Sequence, residues 1–135
     1  MADRTTLPIR VVAAVLVRDH TVLAAQRAPG AHQEMLWEFP GGKVEPGESD
    51  PEALMRELQE ELGISVQVDA EVARTVHTYP HAQIELIALR CFLPVGEPQA
   101  LEHHALKWVT IHEGEQLNWA PADQTLWRNI RRQLN

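Results

Sequence analysis

Between Gly42 and Ile64 the chain reads Gly42-Lys43-Val44-Glu45-Pro46-Gly47-Glu48, then seven residues, then Arg56-Glu57-Leu58-Gln59-Glu60-Glu61-Leu62-Gly63-Ile64. Carboxylates crowd this stretch, and after Lys43 no lysine follows until Lys107. Like charges held close together are costly unless something positive sits among them. Carboxylate oxygens are hard ligands of the kind Mg²⁺ prefers, with water and substrate phosphates completing its shell. Mn²⁺ accepts the same donors.

The spacing predicts a loop followed by a helix over about 50–62. Ser49 stands three residues before Glu52, as in a capping box, and Pro51 suits a first helical turn. The residues that follow are good helix formers, and Gly63 ends the run in a conformation that glycine adopts cheaply. On that helix Glu57, Glu60 and Glu61 fall at i, i+3 and i+4 and share a face. Leu54, Leu58 and Leu62 form a separate apolar stripe, which predicts one stripe against a core and the other toward a metal. Arg56 has Glu52 four residues before it and Glu60 four after, a spacing that braces an acidic face. A Glu-rich helix is more often simply solvated. Here Glu48 and the Gly41-Gly42 pair lie just upstream, where a glycine backbone can approach a ligand closely.

These residues carry a resemblance. The run Gly42, Glu48, Arg56, Glu57, Leu58, Glu60, Glu61, Gly63 and Ile64 resembles the Nudix box at every position, so that residues 42–64 are identified as the signature of that hydrolase family. The resemblance implies an α/β fold of α+β content, with a mixed β-sheet sandwiched between helices. It implies hydrolysis of a nucleoside diphosphate linked to another group. It further implies Mg²⁺ ligation by Glu57, Glu60 and Glu61, with the Gly41 carbonyl as an added ligand.

Length and composition bound the rest. The 135 residues, 44% of them hydrophobic, suit one domain spanning 1–135 around one core. The formal net charge of −7 disfavours duplex nucleic acid and anionic membranes as partners. It does not disfavour a nucleotide, because a bound divalent cation reverses the local sign. A single cysteine, Cys91, lies in an apolar run, excludes an internal disulfide and fits the cytoplasm. No apolar run is long enough to cross a bilayer, and no segment reads as a dimerisation device, so a monomer is expected.

Patterning predicts strands near 9–17 and 21–26, a loop over 27–37 and a short strand at 38–40 leading into the box. Strands follow near 64–68, 71–78 and 83–93, then a turn over 94–99 and a strand near 105–110. A final helix from Pro121 runs close to the end, with Leu126, Ile130 and Leu134 as its apolar stripe.

Outside the box, Gln26-Arg27, His32 and Trp37-Glu38-Phe39-Pro40-Gly41-Gly42 resemble the approach to the box in the MutT subclass, which splits nucleoside triphosphates. Glu102, six residues before Trp108, resembles a MutT loop glutamate that faces the metal cluster; it is expected there as ligand or base. Asp123 stands where MutT carries a base-reading asparagine. An ionised Asp only accepts hydrogen bonds, which suits the exocyclic amine of cytosine or adenine. A protonated Asp123 would donate to an oxopurine, since apolar burial raises a carboxyl pKa. Its flanking Ala120-Pro121-Ala122-Asp123 also resembles the CTP and modified-dCTP branch, so cytidine-type triphosphates are the expected substrate. The alternatives are 8-oxo-dGTP, with a role in mutation avoidance and DNA repair, and a silent nucleotide-binding domain. Arg27 is expected at a phosphate or the base, His32 at the sugar or base, and Phe39 or Trp37 in stacking. Glu57, Glu60 and Glu102 remain alternative general bases, with Arg56 orienting them. His103-His104 read as a solvated loop, and Trp119 and Trp127 as packing residues.

Overall fold

The computed structural model describes residues 8–134, so the ends of the expected domain lie outside the described residues. Strand β1 (Ile9–Arg18) turns into β2 (Thr21–Gln26), followed by β3 (Trp37–Glu38) and β4 (Gly41–Lys43). Helix α1 (Asp50–Leu62) leads to β5 (Gln67–Tyr79), β6 (Ala82–Phe92) and β7 (Ala105–Val109). Two helices close the chain, α2 (Ile111–Glu115) and α3 (Pro121–Ile130), the latter tightening into a 3₁₀ turn over Arg131–Leu134.

The strands form one seven-stranded mixed sheet. Its long arm runs β1, β6, β5, with β1 and β6 parallel and β5 antiparallel to β6. Its short arm is antiparallel, with β3 and β7 on either side of β2. Strand β4 pairs with β1 between them.

Alternation along β1 explains the sandwich. Val12, Ala14 and Leu16 face one core with Leu54, Leu58 and Leu62 of α1, while Ala13 and Val15 face the other with Leu126, Trp127 and Ile130 of α3. A strand buried on both faces is apolar throughout, which is the character of Val11 to Val17. The mixed sheet between helices expected from the sequence is therefore present, and Trp119 and Trp127 pack in the α3 core.

Three elements differ from expectation. The strands expected at 64–68 and 71–78 are one strand, β5, with register shifts between Val68 and Ala70 and between Glu71 and Ala73. Asp69 reads as a break by type, yet extra residues accommodated in bulges let pairing with β6 continue. The strand expected at 38–40 is split into β3 and β4, because Phe39 and Pro40 leave the ladder. The Pro40 carbonyl instead accepts the Ala14 amide at 2.8 Å. The short helix α2 was not expected. Its signal is the capping box of Thr110 and Glu113, which the structure forms in full.

Candidate active site

Helix α1 is built by its caps. Ser49 accepts the Glu52 amide at 3.2 Å, and the Glu52 carboxylate accepts the Ser49 amide at 2.8 Å. Gly63 closes the helix at φ 66° in the left-handed region. With Glu52 engaged at the cap, Arg56 is not braced by it. The guanidinium turns instead to Glu48 at 2.7 and 3.1 Å, Glu57 at 3.1 Å, Glu60 at 3.2 Å and the Lys43 carbonyl at 3.0 Å. Its donors are saturated, and Glu48 first, with Glu57 and Glu45, holds its pKa above the ordinary arginine value.

The glycines ahead of the helix set how closely the box approaches it. A Cβ on Gly42 would lie 2.4 to 2.6 Å from the Glu57 carboxylate atoms, and one on Gly41 would lie 1.9 Å from the Val12 carbonyl oxygen. Only hydrogen at these positions lets Glu57 pack against the box and lets the box lie on β1.

Burial lifts the pKa of Glu57, with Arg56 opposing and Glu60 and Glu102 adding to the rise. Glu61 is pushed up to about 9, first by burial and then by the charges of Glu38, Glu57 and Glu102, while the Gly41 amide partly offsets the rise. Its Oε1 is buried without a hydrogen-bond partner among the described residues. Glu60, by contrast, has a side chain 54% exposed and meets Arg56. The face expected to act as one unit is thus divided. Glu61, Glu102, Glu38, Arg27 and His103 line one cavity of about 170 Å³, and both Glu57 and Glu60 sit outside that lining.

A second cavity of about 200 Å³ adjoins it. Arg27, His32, Tyr79, His81, Ile84 and Asp123 are among its walls. Asp123 is buried, and its Oδ1 accepts the Phe39 amide at 2.9 Å. Burial first and the Glu38 charge second push its pKa up to about 8, against the Phe39 amide and Arg27. The Phe39 ring does not line this cavity. It is buried and stacked on Trp119 with centroids 4.7 Å apart, so the expected stacking contact is corrected to a core contact. The residue meets Asp123 through its backbone. The aromatic ring that does line the cavity is Tyr79, on the β5–β6 hairpin, beside His77 and His32. Its only advance signal was an aromatic residue amid histidines in a turn.

His103 also departs from expectation. Its side chain is 6% exposed, not solvated, and Nε2 lies 2.8 Å from Glu38 Oε2.

The chain matches the family model described as NUDIX domain over residues 11–129. The chain is a Nudix hydrolase. It is 47% identical over 115 residues to the CTP pyrophosphohydrolase of Escherichia coli, with 85% of each chain covered. It is 43% identical over 127 residues to a Mycobacterium tuberculosis protein provisionally named 8-oxo-dGTP diphosphatase 2, covering 93% of this chain and 89% of that one. The solution structure of the E. coli ORF135 protein superposes with a TM-score of 0.81 at 44% identity, covering 92% of this chain and 89% of that one.

Nudix hydrolases generally need a divalent metal, and the residues of this one fit such an ion. Among the described residues no three acidic or imidazole side chains already form a closed cage. Mg²⁺ does not require one, since it is usually held by one or two carboxylates plus substrate phosphates. A cation would relieve the buried Glu61 Oε1, partnerless among the described residues, and the burial and neighbouring carboxylate charges that raise Glu61. Among the described residues no helix is long and apolar enough to cross a membrane.

Proposed function

We propose that this Nudix hydrolase, acting as one domain, converts a nucleoside triphosphate and water to the monophosphate and pyrophosphate. Cytidine-type triphosphates are its preferred substrates, and its role is nucleotide-pool sanitation. The observation that carries the reading is the juxtaposition of two cavities. One is walled by the carboxylates of Glu61 and Glu102, the other by Asp123, His32 and Tyr79. A triphosphate is a molecule with an anionic end and a planar end, and the two cavities match those ends.

Glu57, Glu61 and Glu102 would hold Mg²⁺, or Mn²⁺ in its place, with the Gly41 carbonyl and Glu60 as further ligands from the box. When bound, the ion polarises phosphoryl oxygens and lowers the pKa of a bound water. Arg56 clamps Glu57 and Glu60 in position. A carboxylate within hydrogen-bond reach takes the proton of the attacking water, for which Glu57, Glu60 and Glu102 are the candidates. Arg27 and His32 steady the nucleotide at the mouth of the base cavity, and Asp123 reads the base edge.

The similarity to a CTP pyrophosphohydrolase supports cytosine as the base. A second reading rests on Asp123. With its pKa pushed up to about 8, the carboxyl is protonated at neutral pH and can donate a hydrogen bond, as an oxopurine requires. This supports 8-oxo-dGTP. Incubation with CTP, dCTP, 5-methyl-dCTP, 8-oxo-dGTP and ADP-ribose plus Mg²⁺ separates these readings. Fastest pyrophosphate release from a cytidine triphosphate is the expected outcome. Preference for 8-oxo-dGTP would establish the second reading, and no release from any triphosphate would overturn both.

A further inference from the structure

Arg27 and Glu38 are the two residues common to the linings of both cavities. They form a pair, Arg27 NH1 to Glu38 Oε1 at 2.6 Å, and this pair is the wall between the two spaces. The other carboxylate oxygen, Oε2, is held by His103 Nε2 at 2.8 Å. The chain has to cross the sheet to make that contact. Glu38 lies on β3 and His103 lies two residues before β7, and these strands flank β2 on opposite sides. Strands two apart in a sheet are separated by roughly 10 Å, a gap that a glutamate and a histidine side chain fill only by reaching toward each other.

The backbone fixes both ends of this tie. Glu38 pairs with Ala25, and the His104 amide donates to the Gln26 carbonyl at 2.9 Å. The Leu101 amide donates to the Glu61 carbonyl at 3.2 Å, which docks the same loop on the end of α1. The His103 ring is enclosed, and among the described residues its Nδ1 has no partner and Glu38 is its one hydrogen-bond contact. A solvated loop histidine gains nothing from such an enclosure, whereas one that must hold a carboxylate in place does.

We propose that His103 is a positioning residue for substrate. It fixes Glu38, and through Glu38 it aims the Arg27 guanidinium at the opening shared by the base cavity and the acidic cavity. This inference rests on the proposed nucleotide reading. Released from His103, Glu38 loses the contact that fixes Oε2 and with it the fixed hold on Arg27 NH1. The guanidinium keeps its Nε bond to the His32 carbonyl, and the nucleotide loses a preformed seat while the carboxylates on α1 stay where they are. The effect therefore falls on KM and leaves kcat nearly unchanged.

The test is steady-state kinetics of His103→Phe and His103→Gln on whichever triphosphate the wild type hydrolyses, with thermal melting and circular dichroism on each. His103→Phe should raise KM about tenfold with kcat within about twofold, and His103→Gln, whose amide can still donate to Glu38, should recover most of the loss. Glu38→Gln, which keeps the shape of the side chain, should reproduce the KM rise; it serves should the phenylalanine variant not fold. An unchanged KM in His103→Phe or Glu38→Gln, or a fall confined to kcat, overturns the proposal. So does a glutamine variant as impaired as the phenylalanine one. A wild type that releases no pyrophosphate from any triphosphate overturns the functional reading and this inference together. A working wild type with an indifferent His103 overturns the inference alone.

Discussion

Asp123 and Glu61 are carboxyls placed where the charged form is costly. At Asp123 the Phe39 amide and Arg27 only partly offset burial beside Glu38, and at Glu61 the Gly41 amide does so. Each binds its proton more tightly folded than unfolded. For Asp123 that holds between its ordinary value of 3.8 and about 8. Its contribution to stability is therefore fully present below the lower value and is lost as pH rises through the upper one. Urea unfolding between pH 5 and 8 should show stability falling with pH, by at most about 1.4 kcal/mol per unit from this group. The slope should flatten in Asp123→Asn; an equal slope in the variant would remove Asp123 as its source. If Glu61 holds the proposed cation, it must first release its proton, since its pKa is pushed up to about 9. Mg²⁺ affinity should rise up to about tenfold per pH unit below that value and level off above it. Calorimetry in buffers of different ionisation enthalpy should detect the released proton, and Glu61→Gln should abolish the release.

At the scale of elements, helix α1 depends on signals a few residues long, which is why it was legible in advance. Ser49, Glu52, Pro51 and Gly63 each act on neighbours within a turn, and α1 has the predicted limits. Ser49→Ala should cost about 1 kcal/mol of stability, read from denaturant unfolding, because the Glu52 amide loses its hydroxyl acceptor. Gly42→Ala should act differently. Its methyl would press on the Glu57 carboxylate, so activity should fall at least about tenfold while the melting temperature moves by only a few degrees. An alanine variant of full activity would show that Glu57 has room to move. The features that were not legible arise from pairing across the chain. Glu38 meets His103 because β3 and β7 flank the same strand, and Phe39 meets Asp123 across 84 positions. The direction of the Phe39 ring depends on the break at Pro40, which strand alternation does not reveal. Glu60 has the correct helical phase for the acidic face, yet Arg56 draws its carboxylate outward. Phase gives the face of a side chain but not the partner that captures its end.

On the scale of the whole molecule, the sheet is a partition with a core on each side. Helix α1 brings carboxylates to one edge, and α3 brings Asp123 to a neighbouring point. The fold class followed from the box and from apolar strands flanking it, because a sheet buried on both faces needs a helix on each. The relation between the two cavities did not follow, since it depends on loops placed by β2, β3 and β7. In the proposed function the acidic wall works by holding a divalent cation against a triphosphate. The most direct test is the rate of pyrophosphate release from CTP as a function of Mg²⁺ concentration, for the wild type and for Glu57→Gln. The wild type should show saturable dependence on Mg²⁺ and no turnover in excess chelator, and the variant should lose at least about 100-fold in kcat with its fold intact. Turnover that persists in chelator, or a Glu57→Gln enzyme as fast as the wild type, would contradict it.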